Sequence, residues 1–136
     1  MLINLSNHPS AAWPEAQRAA AREQFGEIED WAFPNISPHA TAEEVAQLAE
    51  GYFRRIAQTT PRPRAVHLMG EMNFTFALVR RLLEAGYRVV ASTTERDVVE
   101  HEGVKTSRFR FVQFRDYLII VIIYCASCLE KSLSLS

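Results

Sequence analysis

Residues 65–91, AVHLMGEMNFTFALVRRLLEAGYRVVA, hold the alternation that decides the fold. Ala65 to Met69 is a short apolar run closed by Gly70, the pattern of a buried strand that ends in a turn. From Asn73 to Ala85 the residues Phe74, Leu78 and Leu82 recur on one helical stripe, and Gly86 stands where such a helix stops. Tyr87 to Ala91 is the next strand. A strand, a helix and a second strand in so short a span make a crossover unit, whose strands run parallel.

Upstream the same alternation continues. Thr60-Pro61-Arg62-Pro63 ends a helix that begins at a capping box, Thr41 with Glu44, and carries Val45, Leu48, Ala49, Tyr52 and Ile56 at helical spacing. Glu27 to Phe33 reads as a strand stopped by Pro34, and Pro14 and Gly26 bracket an Ala-rich helix over Glu15 to Phe25. Met1 to Leu5 is the first strand, ended by Ser6-Asn7-His8-Pro9 because proline removes a ladder donor. Downstream, Val98-Val99, a turn at Glu102-Gly103, and Phe109 and Phe111 alternating with Arg108 and Arg110 predict a hairpin with one greasy and one basic face. The expected fold is α/β: a Rossmann-like parallel sheet of about four strands, helices on both faces, and an antiparallel C-terminal hairpin. Residues 1–117 form one ligand-binding domain in this reading, and residues 118–136, apolar and then Ser/Leu-rich, stand apart from it.

Composition bounds the function. The chain has 136 residues, 48% apolar and 23% charged, which fits one globular domain and excludes collagenous, disordered and disulfide-scaffold classes. Fifteen Lys+Arg against sixteen Asp+Glu give a net charge of -1, which argues against a sheath for long nucleic acid and leaves room for a small anionic ligand held by local geometry. Cys125 and Cys128 are spaced as in redox or zinc motifs, but a single pair without a second pair reads as incidental thiols. With no basic, apolar secretory start near Met1, a reducing cytoplasm is expected. The apolar run Leu118 to Leu129 is short of the ~20 residues a spanning helix needs, so no membrane association is expected.

In a parallel sheet of this kind ligands bind outside the carboxyl ends of the strands. That rule selects Ser6 to Pro9, Pro34-Asn35, Gly70 to Asn73 and Ser92 to Arg96. Ser6, Asn7 and His8 offer a hydroxyl, a carboxamide and an imidazole, able to bind a phosphate or ribose without net charge or simply to close a turn. Gly70 allows close approach to backbone, with Met72 after it and Asn73 and Thr75 at a helix start, though neither a dinucleotide fingerprint nor a Walker loop is present. Glu71 would repel a phosphate unless it faces a ribose hydroxyl or acts as a base. Ser92, Thr93 and Thr94 followed by Arg96 could hold a phosphodiester and neutralise charge developing on it, or could merely solvate the rim. His67, inside an apolar strand, reads as a satisfied core histidine.

The strings LSNHP, HLMGEMNFTFALVRRL, VVASTTER and GVKTSRFRFVQFRDY resemble small proteins encoded beside CRISPR loci, with the layout of the Rossmann-type sensors of cyclic oligoadenylate and the compact ring nucleases that degrade it. The resemblance spans about residues 1 to 117. It implies a homodimer in antiviral defence with a two-fold pocket for the cyclic ligand, contacted by Ser6, Asn7 and His8 from the first strand's exit and by Gly70, Glu71, Met72 and Asn73 from the later turn. It also implies cleavage without metal or cofactor, by attack of a ribose 2′-hydroxyl on the neighbouring phosphate. His8 or Glu71 would then be the base or acid, and Arg96 with the amides of Gly70 to Asn73 the oxyanion partners. In this reading the helical effector domain of the sensors is not expected here, which favours a degrading or sequestering role, with a non-catalytic sponge or interaction module as the alternative to the nuclease.

Overall fold

In the computed structural model, which describes residues 1–119, every apolar run of the parallel unit becomes a strand. The elements are β1 (Leu2–Ser6), a 3-10 turn (Ser10–Ala12), α1 (Glu15–Phe25), β2 (Ile28–Ala32), α2 (Ala42–Ala57), β3 (Ala65–Met69), α3 (Met72–Glu84), β4 (Val89–His101) and β5 (Val104–Asp116). They form one sheet of order β2-β1-β3-β4-β5, in which the first four strands are parallel and β5 runs antiparallel to β4. The architecture is the expected Rossmann-like one, with helices on both faces.

The two faces bury different sets of residues because side chains alternate along a strand. Ile3, Leu5, Val66 and Leu68 point to α2 and α3, where they meet Val45, Ile56, Phe74, Leu78 and Leu82. Leu2, Ala65 and Val90 point the other way, to Trp13, Ala21 and Phe25 of the α1 side and to Phe111 and Phe114 of β5. The α2 start is the capping box read from the sequence: the Thr41 hydroxyl accepts from the Glu44 amide at 3.2 Å, and the Glu44 carboxylate accepts from the Thr41 amide at 2.9 Å.

One expectation is corrected. The fourth strand does not end at Ala91; β4 runs on to His101, so Ser92 to Arg96 are strand residues and not a rim loop. The β-branched Thr93 and Thr94 suit a pleated ladder, and β5 supplies a partner for each residue of the segment. The turn falls at Glu102-Gly103 as expected, with φ of 51° and 80°, the left-handed pair that a two-residue hairpin needs. A bulge between Thr93 and Thr94 inserts one extra residue into β5, and it leaves both Phe111 and Phe114 on the α1 face although they are three apart. The continuation of the chain beyond Ile119, with Cys125 and Cys128, lies outside the described residues.

Candidate functional site

A cleft of about 460 Å³ opens on the α1 face at the carboxyl ends of β1 and β3, beside the Ser92–Thr94 stretch of β4. Ser6, Asn7 and His8 border it from the β1 exit, Trp13 and Gln17 from the entry to α1, Met69 and Gly70 from the end of β3, and Ser92, Thr94, Phe109 and Phe111 from the hairpin. The lining carries no Lys, Arg, Asp or Glu. Its polar groups are neutral hydrogen-bonding side chains, and its walls are aromatic.

Behind the cleft a row of polar side chains crosses the sheet. Asn4 is in register with Asp30 on one side and His67 on the other, so all three project from the same face at one level. The Asn4 Nδ2 donates to Asp30 Oδ1 at 2.7 Å and to the His8 carbonyl at 2.9 Å. Two acceptors on that side fix the carboxamide's orientation, so its Oδ1 faces His67 Nδ1, 2.8 Å away, and takes the Ser6 hydroxyl at 2.9 Å as well. A carbonyl oxygen accepts only, so His67 carries its proton on Nδ1. Nε2 is then an acceptor, and it lies 3.2 Å from Ser92 Oγ. Asp30 is itself anchored by the Ser10 amide at 2.9 Å and the Ser10 hydroxyl at 2.7 Å. Burial raises the Asp30 pKa, but the hydrogen bonds from Asn4 and Ser10 outweigh it and hold the carboxyl below its ordinary value.

His67 is 2% exposed. Burial pulls its pKa down to about 4, so the ring is neutral at neutral pH. Trp13 meets it edge to face at 5.1 Å and Phe114 at 5.6 Å, which seals two sides of the imidazole. Trp13 is held in turn: its indole N–H donates to the His8 carbonyl at 3.1 Å, and Arg18 Nη1 donates to the Trp13 carbonyl at 2.6 Å while also reaching Ala11 at 3.2 Å. The β1 exit, the α1 entry and the histidine are therefore one hydrogen-bonded unit.

Of the residues expected at the site, the cleft brings together Ser6, Asn7, His8, Gly70, Ser92 and Thr94. The others go elsewhere, each for a visible reason. Glu71 is the N-cap of α3, its carboxylate accepting from the Phe74 amide at 2.7 Å and the Asn73 amide at 3.1 Å. Those bonds, from Phe74 first and Asn73 second, hold its pKa below the ordinary value, and the cap commits the carboxylate away from the cleft and occupies the Asn73 amide assigned above to an oxyanion. The Asn73 side chain also turns to Glu71, at 3.2 Å. Met72 is 83% exposed and, with Thr75, borders a separate apolar depression beside Phe76, Val79 and Tyr117. The Thr93 hydroxyl donates to the Gln113 carbonyl at 3.4 Å. Arg96 lies opposite Phe109, beyond the cleft lining, and its guanidinium donates to the Ser107 hydroxyl at 2.9 and 3.2 Å. The reading from sequence missed Asn4, Asp30, Trp13 and Gln17 and left His67 to the core.

Gly70 has a structural reason besides its place on the rim: a Cβ there would overlap the Phe33 ring, which packs edge to face on Phe74 at 5.3 Å. Gly70→Ala should therefore destabilise the fold by about 1–3 kcal/mol, the usual cost of overpacking. Urea denaturation with an unchanged midpoint would show that Phe33 moves aside freely.

A family model matches residues 1–115, which is nearly all of the described chain. The chain belongs to the Uncharacterized protein MJ1673 family. The match to this family takes in both the β1 exit and the Ser92 position, so the whole cleft falls inside it. No curated protein matches the chain. Among the described residues no helix is long and apolar enough to cross a membrane, and no group of three or more His, Cys, Asp or Glu is placed to hold a metal ion.

Proposed function

We propose that the protein is a cytoplasmic, CRISPR-associated member of an antiviral system that binds cyclic oligoadenylate as a homodimer and opens the ring without metal. The observation that carries the reading is the lining of the cleft: neutral donors and acceptors between aromatic walls, at the carboxyl ends of parallel strands, suit the base and ribose of an adenosine unit. Ser6, Asn7 and His8 and the Gly70 turn, the two segments that the family resemblance points to, border it from the ends of the neighbouring strands β1 and β3. A two-fold ring matches a two-fold pair of clefts. Ring opening by a ribose 2′-hydroxyl requires a held geometry and a base, and of the three residues first assigned to the chemistry only His8 borders the cleft.

That last point also favours a second reading, a sponge that binds the ring and leaves it intact, since Glu71 is committed to a helix cap and Arg96 to Ser107. Product chromatography separates the two. Cyclic tetra-adenylate incubated with excess protein in EDTA is expected to yield linear fragments ending in cyclic phosphate. An intact ring after hours at saturating protein would contradict cleavage and leave the sponge, provided the ring binds, and cleavage lost in EDTA and restored by Mg²⁺ would contradict the metal-independent chemistry.

A further inference from the structure

The polar row behind the cleft has the make-up of a proton relay, and its last member reaches the ligand space. Ser92 Oγ borders the cleft, His67 Nε2 lies 3.2 Å behind it, Asn4 Oδ1 holds His67 Nδ1 at 2.8 Å, and Asp30 holds Asn4 Nδ2 at 2.7 Å. A hydroxyl, a base within hydrogen-bond reach of it, and a third group that orients the base are the parts of an activated nucleophile. The tautomer is the productive one, because the double commitment of Asn4 Nδ2 to Asp30 and the His8 carbonyl prevents the carboxamide from flipping and putting the His67 proton on Nε2. The row ends on a hydroxyl at the wall of the aromatic-walled cleft, where a ligand can meet it.

We propose that Ser92, His67, Asn4 and Asp30 form the base of this cleft, with Ser92 Oγ passing the proton of a ligand hydroxyl to His67 Nε2. The identity of the ligand rests on the reading of the cleft as a cyclic oligoadenylate site; the reactivity of Ser92 does not. In ring opening, the ribose 2′-hydroxyl gives its proton to Ser92 Oγ as Ser92 gives its own to Nε2. The 2′-oxygen forms its bond to phosphorus, the P–O5′ bond breaks, and the proton returns along the same chain to the departing 5′-oxygen. The neutral donors Asn7, Gln17 and Thr94 at the cleft wall are the groups available to the charge that develops on the phosphoryl oxygens.

The test is the reaction of the full chain with diisopropyl fluorophosphate, read by intact mass and peptide mapping. In that reaction Ser92 Oγ bonds to phosphorus, the P–F bond breaks, fluoride leaves and the proton passes to Nε2. One adduct on Ser92 is expected, absent in Ser92→Ala and formed about a hundredfold more slowly in His67→Gln, the scale of a lost general base. An unlabelled Ser92, or labelling of His67→Gln at the wild-type rate, overturns the relay. Should His67→Gln fail to fold, Ser92→Ala decides: ring turnover is expected to be lost in it, and turnover equal to wild type overturns the proposal. A wild-type protein that is labelled on Ser92 but binds no ring supports the relay and contradicts the ligand.

Discussion

Acidification is expected to destabilise the protein by about 3 kcal/mol through His67 alone, the free-energy equivalent of a pKa of about 4 in the folded chain against 6.5 in the unfolded one. The sign follows from which state takes the proton. Below pH 6.5 the unfolded chain protonates this histidine while the folded chain does not, so stability is full above that pH and declines until the folded ring also protonates near pH 4. Asp30 and Glu71 add acid lability of their own, because their folded-state values lie below the ordinary ones and their contribution fades as pH falls. They are common to wild type and His67→Gln, so comparing the two isolates the histidine. Urea denaturation of both at about pH 7 and about pH 4.5 should show wild type losing roughly 2–3 kcal/mol more than the variant. Equal losses would mean that water reaches the imidazole.

Phe114→Ala is expected to cost about 3–5 kcal/mol, the range for emptying a buried aromatic site. Phe114 joins the helix side to the hairpin: its ring lies 5.1 Å from Phe111, 5.6 Å from Phe25, 5.6 Å from His67 and 6.1 Å from Trp13. Removing it opens one of the two aromatic walls that keep water from His67, so the histidine should titrate closer to its ordinary value and the acid sensitivity described above should shrink. NMR titration of the His67 ring together with urea midpoints reads both effects in one variant. A loss below about 1 kcal/mol with an unmoved titration would show that Trp13 and Phe25 close the gap unaided.

The parallel unit was legible because its signals are local. Proline and glycine punctuate the chain at Pro9, Pro34, Gly70 and Gly86, the capping box at Thr41 stands alone in its region, and helical stripes such as Phe74, Leu78 and Leu82 differ in period from the short apolar strands. The length of β4 was not, since polar Ser92 to Arg96 become strand only because β5 pairs with them, a non-local fact. The site divides in the same way. Ser6, Asn7, His8 and Gly70 could be found from where strands end, whereas the link from Asp30 through Asn4 to His67 depends on the register of three strands that are far apart in sequence. One signal was present: Asn4 and His67 are polar residues at the centres of apolar runs, and two such residues on adjacent strands of one sheet are candidates to partner each other. Glu71, read as an awkward neighbour for a phosphate, is explained by local chemistry, an acidic side chain at a helix start.

The claim that the cleft is a site for cyclic oligoadenylate is tested most directly by isothermal titration calorimetry of cyclic tri-, tetra- and hexa-adenylate into the full chain, with Trp13→Ala and Asn7→Ala beside it. Trp13 and Asn7 both border the cleft, from different elements. The account predicts saturable binding of at least one ring, at one ring per two chains, weakened about tenfold or more in each variant. Absence of heat for all three rings, or binding that neither substitution alters, would contradict it.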